Sequence, residues 1–460
     1  MGTKDLAQSE RKQIITYALH GFFIDLAMQP GNFVSLFLTD YLCIPVADAA
    51  AMLFVAKTID FLASFIVGPV IEKSSLPGGK YVPWLKIARP LYYSSYIITF
   101  LPFNMPLAAR YGLVIIGHLL VRVPNAFTLT AQYGALMRVG GADMEKRNKM
   151  AIASARLSAV CMVVASATTT PFLLLLGHLV GMKYQYLVMA AVYGCFFFGA
   201  TNTLITLLVP FEQERAGQRE RKKTSLGAML KSIASNPQLM AFILSQTFAY
   251  IGFGAPRQIT IYYYIYIRND PNLLLYASTQ TVSMVVHLAT VAIGPQIGLK
   301  LGRLRALLYS ELLCVFTGIA MVFFGASSIY VFMAISIATS FFRSINSWFA
   351  SSYIIDCAEY GYYKTGIDNR DIIQSLSNIP IKTSMLASGT VALLCLGMIG
   401  YFPGMEANAA FTRNFMRVYG GIPVLCLGAS FFINRLFYKI DDGQAELYAR
   451  ENRQKESETA

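Results

Sequence analysis

Twelve apolar runs, parted by short polar breaks, dominate this chain and leave it few folds to adopt. They fall at 13–42, 47–71, 84–106, 110–137, 150–178, 184–210, 237–267, 273–298, 304–327, 329–356, 372–402 and 409–438. A helix crosses a bilayer with ~20 apolar residues. In hydrocarbon the backbone must satisfy its own hydrogen bonds, so runs of this length fold as helices. Composition agrees: 55% of the 460 residues are hydrophobic, mean hydropathy is +0.50, and only 14% are charged, against ~25% in a soluble domain. So few charges cannot clothe a soluble surface of this size. A soluble enzyme, a disordered chain and a nucleic-acid binder are excluded. The expectation is an all-α membrane protein with twelve transmembrane helices, working with a small-molecule solute in a lipid bilayer as a monomer.

The polar breaks divide the chain. The most polar internal stretch, 211–236, reads as a cytoplasmic linker between six-helix halves at 1–210 and 237–438, with 439–460 as a cytoplasmic tail. Within the linker, Leu226, Met229, Leu230 and Ile233 recur at helical spacing and predict a short amphipathic surface helix. Most of the 38 Lys and Arg fall on the tails and one set of loops. Only Arg110, Lys183, Arg268 and Arg413 fall on the opposite set. That asymmetry places both ends in the cytoplasm and accounts for the net charge of +13 without a polyanionic partner. The first run is too long for a cleaved signal and reads as a retained span. Seven cysteines, none in a C-x-x-C pair, read as small buried hydrophobes rather than disulfides or a zinc site.

Charges inside the spans carry the functional reading. A charge at mid-bilayer costs ~2.5–3.5 kcal/mol on insertion scales and persists where it is paired or wet. Lys57, Asp60 and Ser64 share one face of the second helix. A cation or proton site built on Asp60 competes there with a local Lys57–Asp60 pair that only aids packing. Asp25 precedes Pro30-Gly31, which should kink or open the first helix. It either accepts hydrogen bonds from solute hydroxyls or forms a salt bridge to a neighbouring helix. Lys382 and Arg156 are candidate partners for these acids. Arg122, Arg257 and Arg343 are the weaker candidates, open to snorkelling or carbonyl contacts. Basic groups outnumber the two acids recognised at depth, Asp25 and Asp60. A cavity lined by several of them would favour an anionic solute. Tyr262, Tyr263, Tyr264 and Tyr266 suggest a sugar-stacking surface or an interfacial belt, and His118 a satisfied buried histidine. No nucleophile elbow, phosphate-binding loop or H-E-x-x-H is present, so neither an enzyme nor an ATP-driven pump is expected.

Several segments go further. Leu38-Thr39-Asp40-Tyr41 closes the first span, and Leu53-Phe54-Val55-Ala56-Lys57-Thr58-Ile59-Asp60 forms the second. Gly68-Pro69-Val70-Ile71-Glu72 is followed by Gly79-Lys80-Tyr81-Val82-Pro83-Trp84. Asp356-Cys357-Ala358-Glu359-Tyr360-Gly361 and Lys364-Thr365-Gly366 follow the tenth span, and Lys382 sits in the eleventh. Together these resemble the glycoside–pentoside–hexuronide:cation symporters, a branch of the major facilitator superfamily, over most of the chain. The resemblance implies two pseudo-symmetric six-helix halves and alternating access. It implies cation coupling at Asp60 with Lys57 and Lys382 as charge partners, Arg156 as a cavity-facing base, and a cytoplasmic gate using Glu72, Lys80, Asp356 and Glu359.

The departures narrow what carries over. Ser64 stands where the family has a second carboxylate, so a two-carboxylate sodium site does not transfer, whereas a proton needs one. Ile24 occupies the place of a sugar-binding acid, one residue before Asp25. The fourth helix reads Thr128-Leu129-Thr130-Ala131-Gln132, leaving Gln132 to bond a solute hydroxyl. Glu72 and Val82 replace an Asp and an Arg of the gate motif. The expected function is plasma-membrane symport of a glycoside, with a uronide or other anionic sugar as a specific case, coupled to H⁺ ahead of Na⁺. No cofactor or bound metal is expected, apart from a possible Na⁺ site at Asp60. A lipid or lysophospholipid carrier and a non-transporting sensor on the same fold are the alternatives.

Overall fold

A computed structural model describes residues 3–74, 76–102, 106–140, 144–213, 235–270, 272–348, 350–366, 373 and 379–459. Among them every regular element is helical. The helices are α1 (Thr3–Ala27), α2 (Val46–Lys73), α3 (Val82–Thr99), α4 (Leu107–Gly140), α5 (Met144–Val180), α6 (Gln185–Gln213) and α7 (Pro237–Tyr262). They continue as α8 (Leu274–Leu301), α9 (Arg303–Phe324), α10 (Ile329–Trp348), α11 (Ala350–Thr365), α12 (Ile379–Met398), α13 (Ala409–Leu436) and α14 (Asp442–Thr459). The first span does not end at Ala27. Pro30 has no N–H to extend the α ladder, so the chain tightens into a 3₁₀ segment at Gln29–Phe33 and returns through Val34–Leu36 to a π turn at Phe37–Tyr41. The linker helix expected over 225–234 lies outside the described residues. The final segment, expected as a tail, folds as α14.

The chain forms two compact units. The first contains residues 1–220, 270–281 and 402–404, and the second the remainder. They repeat one packing scheme. In the first, α1 packs against α5 and α6, and α3 against α4 and α6. In the second, α7 packs against α12 and α13, and α9 against α10 and α13. This is the duplicated six-helix arrangement of the major facilitator fold. Large apolar side chains such as Phe323, Tyr330, Met398 and Leu425 face outward, as suits a surface solvated by lipid.

Each unit buries a core near one end of its bundle. Tyr17, Leu85, Ala135, Met150 and Leu204 join α1, α3, α4, α5 and α6. Phe242, Leu307, Tyr353 and Tyr438 do the same among α7, α9, α11 and the segment after α13. The tyrosine run is also core. Tyr262, Tyr263 and Tyr264 are essentially inaccessible. Tyr263 stacks on Phe332 at 3.8 Å, and Arg268 donates to its hydroxyl at 2.6 Å. These three rings therefore serve as neither a sugar platform nor an interfacial belt, because the run lies where α7 meets its neighbours.

One acid inside the second unit escaped the sequence reading. Glu311 on α9 is 1% exposed. It accepts from Ser430 Oγ at 2.5 Å and from Asn434 Nδ2 at 2.9 and 3.1 Å, both on α13. Farther along the same helix pair, Gly318 and Gly420 approach so closely that a Cβ on either would meet the other's carbonyl oxygen. Close backbone packing and one polar clasp thus hold α9 to α13. Glu311→Ala would strand Ser430 and Asn434 in a dry contact, at a cost of ~1–3 kcal/mol. Thermal unfolding in detergent should show a clear fall in Tm for Glu311→Ala and a smaller one for Glu311→Gln, which keeps the shape and an acceptor.

Candidate functional site

In the first unit the charges expected at depth converge. Asp60 on α2 lies 3.8 Å from Arg122 Nη1 on α4, and both side chains keep partial access to solvent. Lys57, one turn before Asp60, is within electrostatic reach of both. Arg122 was expected to bind solute or snorkel; instead it is the cross-helix partner of Asp60. The contact is single and long rather than a bidentate fork, so the ion pair can open without dismantling a rigid lock. Behind it lie His118, one turn before Arg122, and the buried pair Tyr92 and Tyr96 on α3, whose hydroxyls are 3.1 Å apart. Among the described residues, Arg122 Nε and His118 Nε2 are buried without a hydrogen-bond partner, so at least one nitrogen of the His118 ring is unmatched there. The side chain of Ser64 lies outside the described residues.

The other first-unit candidates group around α1. Asp25 is half-buried and hydrogen-bonds with Ser158 of α5. Among the described residues no base lies within ion-pair distance of it, so the salt-bridge reading of Asp25 gives way to hydroxyl contacts. Gln132 reaches the side chains of Tyr17 and His20. His20 is fully buried, with Nδ1 2.9 Å from the carbonyl of Ala200. Arg156 is exposed on α5. A carboxylate, an amide, a hydroxyl and an imidazole on neighbouring helices are the groups that bind polyols. In the second unit, Arg257 of α7 and Arg343 of α10 are both exposed. Lys382 is half-buried on α12.

Charged clusters also sit where helices begin, and they repeat between the units. In the first, Glu212 at the end of α6 is buried and accepts from the backbone N–H of Tyr81 at 2.8 Å and of Val82 at 3.3 Å. This caps α3 and complements its positive N-terminal dipole. Arg138 pairs with Glu212 at 3.1 Å and lies over the Tyr81 ring. Gly79 has φ +112°, and a Cβ there would strike the Glu212 carboxylate. In the second unit, Asp442 accepts from the backbone N–H of Arg303 at 3.0 Å and from its side chain, capping α9 behind Gly302 at φ +85°. Arg303 Nη1 also meets Asp356 at 2.9 Å. The expected gate residues thus divide. Lys80 lies over Tyr81, Asp356 holds Arg303, and Glu359 accepts from Asn452 of α14 at 2.7 Å. The side chain of Glu72 lies outside the described residues.

A model of the family described as MFS/sugar transport protein matches residues 16–442. The chain belongs to that family. Among curated relatives it is 23% identical over 437 residues to an uncharacterized symporter of Bacillus subtilis, YjmB, covering 92% of this chain and 90% of the relative. It is 22% identical over 446 residues to the isoprimeverose transporter of Lactiplantibacillus pentosus, covering 94% and 90%. Among solved structures, a bacterial homologue of the lysosomal transporter Spinster superposes with TM-score 0.63 at 11% identity, covering 95% of this chain and 98% of that one. The nucleoside transporter NupG gives 0.60 at 12%, covering 93% and 98%. These two show the fold. As a member of a transporter family, the chain is a multi-pass membrane transporter and not an enzyme.

Sequence reasoning missed three groups that matter in this sugar-transport family member. Glu311 lies in a predicted span and a search for acids within runs would have found it. Glu212 follows Pro210 at the close of an apolar run, but nothing in the sequence aims it at residues 81 and 82. His20 gave no signal beyond its place in an apolar stretch. Glu212→Ala should strip the cap from α3 and strand Arg138. Thermal unfolding should show a loss of ~3 kcal/mol, the scale for deleting one partner of a buried pair. Asp356 titrates differently. Its helix lies past the apolar stretch Ile329–Ile345, and burial raises its carboxyl to about 6 against the pull of Arg303. The folded value exceeds the unfolded one, so the stability it contributes is complete below about pH 4 and is lost as pH rises through about 6. The Tm of the native chain relative to Asp356→Asn should therefore fall between about pH 4 and pH 6 and level off above.

Proposed function

We propose that this chain is a cation-coupled symporter of a glycoside, with Asp60 as the coupling carboxylate. The observation that carries the reading is one partly accessible acid held loosely between two cations, Lys57 and Arg122, at membrane depth. Such an arrangement is costly unless each charge is compensated, and a change of charge on Asp60 alters every contact around it. The coupling ion is H⁺. A proton needs one oxygen, which Asp60 supplies, whereas Na⁺ needs several oxygen ligands. Protonation weakens the hold of Asp60 on Arg122, and the loosened contact lets the loaded carrier reorient.

The solute is a sugar or glycoside. Support comes from the family itself and from relatives named for isoprimeverose and for lactose, the latter a permease of Lactobacillus delbrueckii. A relative named as a glucuronide carrier homologue in Escherichia coli, 20% identical over 409 residues, brings sugar acids within the class. Asp25 and Gln132 receive hydroxyls through hydrogen bonds that apolar residues at the same places would not supply. The site works in the plasma membrane with both chain ends in the cytoplasm, as the Lys and Arg asymmetry directs.

In proteoliposomes, Asp60→Asn should abolish uphill accumulation of a transported glycoside under an imposed pH gradient while retaining counterflow exchange. Full uphill accumulation by that variant would overturn the coupling role. An equal response to a Na⁺ gradient at constant pH would reassign the ion.

A further inference from the structure

The second unit holds two arginines within its apolar runs, Arg257 and Arg343. Arg257 lies ten residues before the end of the π turn that closes its span at Ile267, and farther still from Pro237. At ~1.5 Å per residue the nearer end is ~15 Å away, beyond what a side chain snorkels. Arg343 lies fourteen residues after Ile329, and α11 follows α10 beyond Trp348. For Arg257, both ends of its span are therefore out of snorkelling reach.

Their surroundings contain no counter-charge. Among the described residues, no carboxylate lies within ion-pair distance of Arg257 or Arg343, and Arg257 lies close enough for its charge to act on Arg343. The Arg343 guanidinium rests 4.9 Å from the centre of the Phe253 ring, which supports the cation from behind without neutralising it. Tyr250 of α7, Cys314 of α9 and His287 of α8 also lie within reach of its charge. His287 Nδ1 is 2.6 Å from Ser344 Oγ, whose proton goes to the carbonyl of Ser340 at 2.8 Å. The His287 ring thus stands within reach of the Arg343 charge with its Nδ1 engaged by Ser344. Both arginines keep exposed surface.

We propose that Arg257 and Arg343 form an oxyanion subsite in the second unit that receives a carboxylate or sulfonate on the transported solute. Guanidinium groups bind such oxygens through paired hydrogen bonds. An incoming anion relieves the repulsion between two like charges that the protein leaves uncompensated, so binding of the anion is strongly preferred to binding of a neutral isostere. Tyr250 and His287 then meet hydroxyls next to the anionic group. Arg122, engaged by Asp60, does not belong to this subsite. The inference rests on the reading of the chain as a glycoside carrier, but it concerns binding and not coupling.

The test is equilibrium binding to the purified full chain in nanodiscs, by calorimetry. The ligands are phenyl β-glucoside, phenyl β-glucuronide, and the glucoside bearing a 6-sulfonate. The native chain should bind at least one of the two anions about tenfold or more tightly than the neutral glycoside, and the stronger of the two identifies the group. Arg257→Gln and Arg343→Gln should each weaken the anion by about tenfold to a hundredfold, the scale of a lost charge-assisted hydrogen bond, and weaken the neutral ligand much less. Arg343→Lys keeps the charge without the fork and should fall between. It also serves if a glutamine variant does not fold. Equal affinities in the native chain, no binding of either anion, or an unchanged preference in both arginine variants would overturn the subsite. Asp60→Asn should retain the anion preference. A chain that binds the anion but shows no gradient-driven uptake would refute the coupling reading and leave the subsite standing.

Discussion

A charge inside a bilayer must be answered by another charge, by water or by a ligand, and this structure is organised around where each answer is found. Asp60 is answered by Lys57 and Arg122. Glu311 is answered by Ser430 and Asn434 with no cation. Arg257 and Arg343 are answered by neither. The three cases differ in consequence. A neutral clasp between two helices holds them together. A loose ion pair that keeps exposed surface can be switched by one proton. Two cations with no acid in ion-pair distance among the described residues suit the anion proposed above.

The helix ends obey the same economy at lower stakes. Glu212 closes the last membrane helix of the first unit and Asp442 follows that of the second, and each caps the start of its unit's third helix, α3 or α9. A glycine with positive φ precedes each capped start, at Gly79 and at Gly302. The recurrence follows from the duplicated packing scheme: the same crossing brings the same two ends together, and a carboxylate there satisfies orphan N–H groups and the helix dipole at once. Arg138 and Arg303 extend each cap into an ion-paired cluster, so the caps join elements distant in sequence.

Much of this was legible before any coordinates. Long apolar runs with short breaks specify membrane helices because the bilayer leaves no alternative for the backbone. Lys57 and Asp60, three residues apart on one helix, necessarily share a face. Pro30 necessarily interrupts an α ladder. The partner of Asp60 was not legible. Arg122 and Arg156 were both available bases in the first unit, and the packing of α2 on α4 brings Arg122 to Asp60. Tyr262–Tyr264 look interfacial because tyrosine is amphipathic, yet they are core because three helices meet there. His118 looks like filler, yet among the described residues its Nε2 is left beside Arg122 without a partner.

The amino-acid sequence by itself determined that the chain is built of membrane helices, the helix on which Asp60 lies and the excess of bases over acids within the runs, because these depend on local hydropathy and helical periodicity. Tertiary structure alone decided that Arg122 meets Asp60, that Glu212 and Asp442 are caps, and that, among the described residues, no acid lies within ion-pair distance of Arg257 or Arg343. Those facts depend on distances between helices, and no local pattern encodes a distance between residues brought together only when the bundle closes.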